Sequence, residues 1–213
     1  MSKVPVKLLQ EWAPFSYTAD SIRESRDRNG GKIILKGVLQ KAETLNQNGR
    51  IYPHAILERE VRNYQKFINE RRALGELDHP STSVVELQKV SHVVTSAVLE
   101  GDVVMGEIEV LTSTPMGKIL EGLITSGIKV GISSRGVGST SDKGDHQLVN
   151  DDFQLICWDM VAEPSTPGAF MMSEGKVIYD RHGNVIGNKP LQESPEKSGR
   201  ILSAAESILT FDE

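Results

Sequence analysis

The chain has 213 residues, a formal net charge of -5 at pH 7 and a sequence pI of about 5.6, which argues against a general nucleic-acid binder with its basic patch. Hydrophobic residues make up 38%, as in soluble globular proteins, and no apolar run approaches the ~20 residues that a membrane-spanning helix needs. The first residues lack the apolar core of a signal peptide, and the only cysteine, Cys157, excludes an internal disulfide, so we expect a reducing cytoplasm.

The first part of the chain predicts an arm, a strand and a helix. Residues 1–31 are mixed in composition and end in a charged, glycine-containing stretch, which indicates a loosely structured arm. Lys32 to Leu39 is rich in β-branched residues and predicts a strand. A helix is predicted from Pro53 to about Arg72, because apolar residues recur there at intervals of three or four: Ile56, Leu57, Val61, Tyr64, Phe67 and Ile68.

The rest of the chain predicts short strands and a second helix. A hairpin is expected around the turn Gly101-Asp102, and a helix is expected to start at Thr114-Pro115 and to end at Gly127. The predicted strands are Val90 to Leu99, Val103 to Leu111, Lys129 to Arg135 and Gln154 to Ala162, with strand-like residues again from Met171 to Ile178.

This pattern predicts an α+β fold in which helices flank a mostly antiparallel β-barrel or sandwich. We expect one main domain over residues 32–187. Residues 188–200 are rich in Pro, Ser, Glu and Lys, which predicts a flexible linker. The linker is followed by a short amphipathic segment that runs to the end of the 188–213 region.

The stretch Gly131 to Ser139, G-I-S-S-R-G-V-G-S, combines hydroxyls, a cation and glycines at the end of a predicted strand. A nucleophilic serine needs a fixed oxygen and nearby N–H donors for the developing oxyanion, and this stretch offers both. Serine and glycine clusters also mark ordinary turns. The backbone N–H groups near Arg135 and Gly136 are candidate oxyanion donors, with a structural ion pair as the alternative for the Arg135 side chain.

Strand alternation bears on which serine is the nucleophile. Ser134 shares a face with the apolar Val130 and Ile132, which we expect to point into the core. Ser133 shares the other face with Arg135, where a substrate could reach it. We therefore favour Ser133, with Ser134 as the alternative nucleophile, because a bulge would reverse the assignment.

A serine nucleophile needs a base, and His79 is our candidate among five histidines. It stands in G-E-L-D-H-P, between a predicted helix and a predicted strand, and Pro80 stiffens the connection. A surface histidine in a turn is the alternative. The others are predicted to lie at a helix start, within a packed strand and at two loop tips: His54, His92, His146 and His182.

Asp159 is a carboxylate within the apolar strand around Cys157 and Trp158, where a buried thiol is expected. Aspartate is depleted from strands, and a buried charge is costly unless it is paired. We favour an imidazole as its partner, with a solvent-facing Asp159 as the alternative and Glu163 as a weaker candidate for the same role. The chain has no H-E-x-x-H or comparable ligand spacing, so we predict neither a metal nor a cofactor.

Taken in order, these segments resemble the prohead maturation proteases of myovirus-type tailed phages. The motifs are G-E-L-D-H-P, G-I-S-S-R-G-V-G-S and W-D-M-V-A-E-P-S-x-P-x-A, and the earlier N-Q-N-G-R-I-Y-P at Asn46 to Pro53 is also similar. The resemblance runs from Ile33 to Phe170. It implies the helix-flanked β-barrel of the related herpesvirus assemblins.

The resemblance implies a serine endopeptidase with His79 as the general base, a serine of G-I-S-S-R-G as the nucleophile and Asp159 as the orienting acid. Assemblins use a second histidine where this chain has Asp159. The expected substrates are scaffold and major capsid proteins, cleaved inside the assembling prohead in the host cytoplasm by a homo-oligomeric enzyme. A non-catalytic module that binds scaffold is the alternative, and no partner of the nucleic-acid or membrane class is expected.

The family preference for cleavage after Glu, with Leu or Ile two residues earlier, predicts self-cleavage in the tail. Leu191-Gln192-Glu193 precedes Ser194 in the predicted linker, so the bond between Glu193 and Ser194 is the expected site. Ile119-Leu120-Glu121 also matches, but it lies on a predicted helix and should be protected while the protein is folded.

Overall fold

A computed structural model of the chain describes residues 7–10, 13–14, 19–80, 82–162, 171–172, 176–179 and 185–189. Several predictions fall outside these ranges: Glu163, His182, the pair Glu193 and Ser194, and the tail over residues 190–213. No helix in the described ranges is long and apolar enough to span a bilayer.

The helices follow the apolar periodicity of the sequence. They are α1 (Ala19–Arg28), α2 (His54–Asn69) and α3 (Pro115–Thr125), with a 3₁₀ turn at Leu87–Lys89. Thr114 caps α3, because its side chain accepts a hydrogen bond from the Gly117 amide and Pro115 needs no such bond at the first helical position. The predicted boundaries of α2 and α3 agree with these within about three residues.

Within the described ranges, the strands form two large sheets and two small ones. In chain order they are β1 (Lys7–Gln10), β2 (Ala13–Pro14), β3 (Ile33–Lys41), β4 (Arg50–Ile51), β5 (Leu74–Glu76), β6 (Val90–Glu100), β7 (Val103–Val110), β8 (Gly131–Gly138), β9 (Thr140–Asp142), β10 (Gln147–Val149), β11 (Gln154–Val161), β12 (Met171–Met172), β13 (Lys176–Tyr179) and β14 (Val185–Lys189).

The first large sheet has the order β12-β3-β7-β6-β5, and the second is β1-β8-β11 with β2 also on β8. The small sheets are β4-β10-β9 and β13-β14. All these pairs are antiparallel except β4 with β10. The fold is therefore α+β with mainly antiparallel sheets. The pairings between described strands do not close into a barrel, and the two large sheets are linked by a parallel bridge, Leu77 to Met160, and by contacts of β5 with β11 and of β3 with β8.

The hydrophobic core lies where α2 and α3 pack against β6 and its neighbours. Leu35, Ile108, Leu57 and Leu120, from two strands and two helices, are each at most 1% exposed and belong to one cluster. Burial of such side chains stabilises the fold by about 1.5–3 kcal/mol each. The core thus fixes the five-stranded sheet, from whose strand β5 the next segment extends.

The prediction of a loosely structured arm is wrong over α1. Ile22 is 2% exposed within the core, and Ser25 exchanges hydrogen bonds with the backbone of Ile34 on β3. Arg26 also pairs with Glu121 of α3. Because Ile22 is the one large apolar residue of α1, the sequence shows no periodic apolar stripe there, and Ser25 and Arg26 add polar contacts.

Candidate active site

The register between β8 and β11 places four polar side chains on one face of the second sheet. Ser133 stands directly opposite Asp159, and Arg135 stands opposite Cys157. Directly opposed residues of antiparallel strands point to the same side of the sheet. All four are at most 1% exposed, so this face carries a buried polar cluster.

His79 reaches this cluster from the segment after β5. The Leu77–Met160 bridge holds the segment along the free edge of β11, and the Asp78 amide donates to the Met160 carbonyl at 2.7 Å. Asp78 then adopts a left-handed φ of 67°, which aspartate tolerates better than most residues. This turn brings the next residue, His79, over the face of the sheet.

The imidazole of His79 lies between Ser133 and Asp159. Its Nε2 is 2.6 Å from Ser133 Oγ, and its Nδ1 is 3.0 Å from Asp159 Oδ2. Because a carboxylate can only accept, Nδ1 carries the proton and donates it to Asp159. Nε2 then presents its lone pair to the Ser133 hydroxyl, as a general base must.

Asp159 is held ionised by its partners in spite of its burial. Burial alone would raise the pKa of its carboxyl group, but the hydrogen bond from His79, the charge of Arg135 and the amide of Glu76 together lower that pKa below its usual value. The Glu76 amide donates to Oδ1 at 3.0 Å. Asp159 is therefore a fixed anion beside the imidazole, suited to stabilise an imidazolium.

The two serines differ in their surroundings as strand alternation predicted. Ser133 Oγ contacts His79, whereas Ser134 Oγ is buried without a hydrogen-bond partner among the described residues. Ser133 was expected to face outward beside Arg135, where a substrate could reach it, but the residue is 1% exposed. The segment that carries His79 covers this face of the sheet, and the His79 side chain itself is 19% exposed.

The side chain of Arg135 forms the structural ion pair that was the alternative to an oxyanion role. Its Nε lies 2.8 Å from Asp159 Oδ2 without pointing its N–H at that oxygen, and its Nη2 donates to Oδ1 at 3.1 Å. Burial opposes this charge, but Cys157 and Asp159 raise the Arg135 pKa. The guanidinium is therefore a buried permanent cation.

The prediction that the amides near Arg135 and Gly136 bind the oxyanion stays a prediction. Both residues lie in β8, which pairs with β1 on one side and with β11 on the other. Gly136 has a packing role as well, because a Cβ there would lie 2.4 Å from the Phe153 ring. The missing side chain thus lets Phe153 cover the strand.

The remaining described histidines do not take part. His92 is fully buried, donates from Nε2 to the Trp158 carbonyl at 3.0 Å and accepts from Ser91, so it is the packed polar residue that was expected. His54 is exposed and pairs with Asp102, and His146 pairs with Asp145 at a loop tip. In the described ranges, no group of three or more His, Cys, Asp or Glu residues is placed to hold a metal ion.

Two neighbours of the site were not singled out from the sequence. Glu76 is fully buried and its Oε1 lies 3.3 Å from Arg135 Nη2, and the Thr82 carbonyl accepts from Arg135 Nη1 at 2.9 Å. Glu76 stands three residues before His79 in G-E-L-D-H-P. An acidic residue so close to the candidate base was the sequence signal that could have identified it. Cys157 contacts the same network, and burial raises the pKa of its thiol, in agreement with a structural role.

A serine hydroxyl, an imidazole and a buried carboxylate in this order define the class of serine hydrolases. The comparisons with known proteins agree. A family model described as "Prohead core protein serine protease" matches residues 17–183. The chain belongs to this family and is a serine protease.

The relatives are phage proteins. The chain is 32% identical over 180 residues to the "Prohead core protein protease" of Enterobacteria phage T4, which covers 78% of this chain and 84% of that protein. The structure of this chain is similar to that of the bacteriophage T4 capsid assembly protease, gp21, with a TM-score of 0.64 and 27% sequence identity. That match covers 75% of this chain and 99% of the other.

Proposed function

We propose that this protease cleaves peptide bonds through an acyl-enzyme in which Ser133 is the nucleophile, His79 the general base and Asp159 the orienting acid. The observation that carries the proposal is the contact of 2.6 Å between His79 Nε2 and Ser133 Oγ, with Asp159 on the other ring nitrogen. A hydroxyl at neutral pH is a poor nucleophile without such a base.

In the first step, Ser133 Oγ attacks the scissile carbonyl carbon while its proton passes to His79 Nε2. Asp159 holds the imidazolium through Nδ1, and backbone amides near Arg135 and Gly136 stabilise the oxyanion. His79 then returns the proton to the leaving amine, which leaves the acyl group on Ser133. A water activated by His79 hydrolyses the ester and restores the hydroxyl.

The biological role we propose is maturation of a phage capsid. The substrates are scaffold and major capsid proteins, cut after glutamate inside the assembling prohead in the host cytoplasm, by an enzyme that self-associates. Membership of the prohead core protease family supports this role. The similarity to a protease of T4 capsid assembly supports it as well.

We further propose that the enzyme cleaves its own tail between Glu193 and Ser194. The segment Leu191-Gln192-Glu193 carries the preferred residues within a stretch rich in Pro, Ser, Glu and Lys. Cleavage releases residues 194–213 with their amphipathic segment, which we propose docks the enzyme onto scaffold.

The preference for glutamate and the self-cleavage are both tested with the purified full-length chain. Peptides with Glu before the scissile bond should be cleaved about 10- to 100-fold faster than matched Gln peptides, because charge-assisted hydrogen bonds contribute about 1.5–3 kcal/mol. Intact-mass spectra of aged protein should show loss of residues 194–213, and the Ser133→Ala variant should stay whole. Equal rates on both peptides would contradict the glutamate preference, and an intact tail on an active enzyme would contradict self-cleavage.

A further inference from the structure

We infer that Arg135 and Glu76 form a positioning pair, which orients the Asp159–His79 dyad and balances its charge; this inference rests on the proposed roles of Ser133, His79 and Asp159. No described contact joins the side chain of Arg135 or Glu76 to the Ser133 hydroxyl, which contacts His79. The pair acts through Asp159 and through the segment that carries His79.

The first support is the number of groups that one buried guanidinium connects. Arg135 approaches Asp159 through both Nε and Nη2, at 2.8 and 3.1 Å, and its Nη2 also lies 3.1 Å from Cys157 Sγ and 3.3 Å from Glu76 Oε1. The Arg135 and Glu76 side chains are 0% exposed. A buried charge of this kind is costly unless its partners are well placed. The network therefore fixes the carboxylate of Asp159 in one orientation.

The second support is the attachment of the segment after His79. Arg135 Nη1 donates to the Thr82 carbonyl at 2.9 Å, and Glu76 Oε1 accepts from the Glu86 amide. The two members of the pair thus tie residues 82–86, which follow His79 in the chain, to β8 and to β5. A change at either one should alter the position of His79 as well as that of Asp159.

The third support is the charge balance. The formal charges of Asp159, Glu76 and Arg135 leave the cluster with one excess negative charge in the resting enzyme. The proton that His79 takes from Ser133 cancels this excess, so the cluster favours the imidazolium that forms during attack. Glu76 Oε2 is buried without a hydrogen-bond partner among the described residues.

The charged or titratable groups around the dyad come from several elements and must be considered together. They are Cys157 on β11, Arg135 on β8, Glu76 at the end of β5, Tyr64 on α2, His92 on β6 and the exposed Asp78 next to His79. Glu86 approaches through its backbone amide, and its carboxylate pairs with Lys89. Glu76 and Arg135 are therefore the buried charges of opposite sign that substitution can remove separately.

The test is the pH profile of kcat/KM on a peptide substrate, measured with the full chain. Glu76→Gln removes the excess negative charge, so the acid limb should move to lower pH by about one unit and kcat/KM at the optimum should fall about tenfold. Arg135→Met removes the cation, so the limb should move to higher pH, with about a hundredfold loss in kcat. The double variant should return the limb to near its original position.

Two further variants separate positioning from general stability. Arg135→Lys keeps the positive charge but loses the planar guanidinium with its several N–H donors. The acid limb of the pH profile should therefore stay in place, while kcat falls about tenfold and KM changes little. Glu109→Gln is the matched control, because Glu109 is also buried and paired with arginine, through Arg71, but it lies on β7 with Arg71 and Lys32 as partners instead of Arg135. It should leave the profile unchanged.

A wild-type profile for Glu76→Gln would overturn the inference. If the acid limb moved in the same direction in Glu76→Gln and in Arg135→Met, the inference would be overturned as well. Removing a negative charge and removing a positive charge should move the limb in opposite directions. The proposed function fails separately: it is contradicted if Ser133→Ala retains activity, whereas an inactive Ser133→Ala beside an unaltered Glu76→Gln removes only the positioning pair.

Discussion

Two adjacent serines in one strand have different environments because alternate side chains point to opposite faces. Ser133 contacts His79 across 2.6 Å, and Ser134 Oγ points into the interior without a described partner. Strand alternation was enough to favour Ser133 from the sequence. The burial of Ser133 could not be predicted, because it depends on a segment more than fifty residues earlier in the chain.

Burial of the neutral His92 side chain makes the stability of the protein sensitive to mild acid. Burial lowers the pKa of this imidazole from 6.5 to about 4, although the charge of Asp159 and the Trp158 carbonyl act in the opposite direction. Below about pH 6.5 the unfolded chain therefore binds a proton at His92 that the folded protein does not. The contribution to stability is complete above that pH, and it is lost progressively as the pH falls towards 4.

The expected loss from His92 is about 2 kcal/mol between pH 7.5 and pH 5. Urea unfolding at the two pH values measures it, and the His92→Gln variant is the control because glutamine can still donate to the Trp158 carbonyl and does not titrate. The free energy of unfolding of the variant should change less over the same range. An equal change in both proteins would show that other groups cause the acid sensitivity. Asp159 contributes with the same sign only at lower pH, since its pKa is lowered.

At the scale of elements, α2, α3 and the hairpin of β6 and β7 could be predicted because their apolar residues repeat with a clear period. Helix α1 could not, because Ile22 is its main apolar contact and Ser25 docks it by hydrogen bonds to β3. The meeting of β5, β8 and β11 depends on strand pairing between segments far apart in the chain, for which local periodicity carries no information. Only the family resemblance implied that His79, Ser133 and Asp159 act together.

The contact between β5 and β11 depends on Gly75. A Cβ at this position would lie 2.1 Å from the Trp158 carbonyl oxygen and 2.2 Å from His92 Nε2, and neither group can move away easily. We expect Gly75→Ala to lower the free energy of unfolding by at least about 2 kcal/mol, as overpacking does. It should also lower kcat, because the next residue, Glu76, donates its amide to Asp159.

The control for Gly75→Ala is Gly122→Ala on α3, where an added Cβ meets nothing within 4 Å. Alanine favours a helix interior by up to about 1 kcal/mol over glycine, so this variant should be as stable as the original chain or more stable. Thermal or urea unfolding compares the two. A Gly75→Ala protein as stable and as active as the control would show that the strands can separate without cost.

For the molecule as a whole, the two large sheets have different roles. The five-stranded sheet with α2 and α3 contains most of the core, and the second sheet carries Ser133, Arg135 and Asp159 on one face. The segment from Leu77 to His79 joins them, so the catalytic arrangement exists only when both sheets have formed. The predicted α+β class agrees with this architecture, whereas a closed barrel is not formed by the strands described.

The central claim is that His79 activates the hydroxyl of Ser133, and a serine-directed fluorophosphonate tests it most directly. Full-length protein is labelled, digested and mapped by mass spectrometry, beside Ser133→Ala, Ser134→Ala and His79→Ala. Label on Ser133, retained in Ser134→Ala and lost in the other two, is the result we predict, together with a loss of turnover of about 10⁶-fold in Ser133→Ala. Label on Ser134, or an active protease that Ser133→Ala does not impair, would contradict the account.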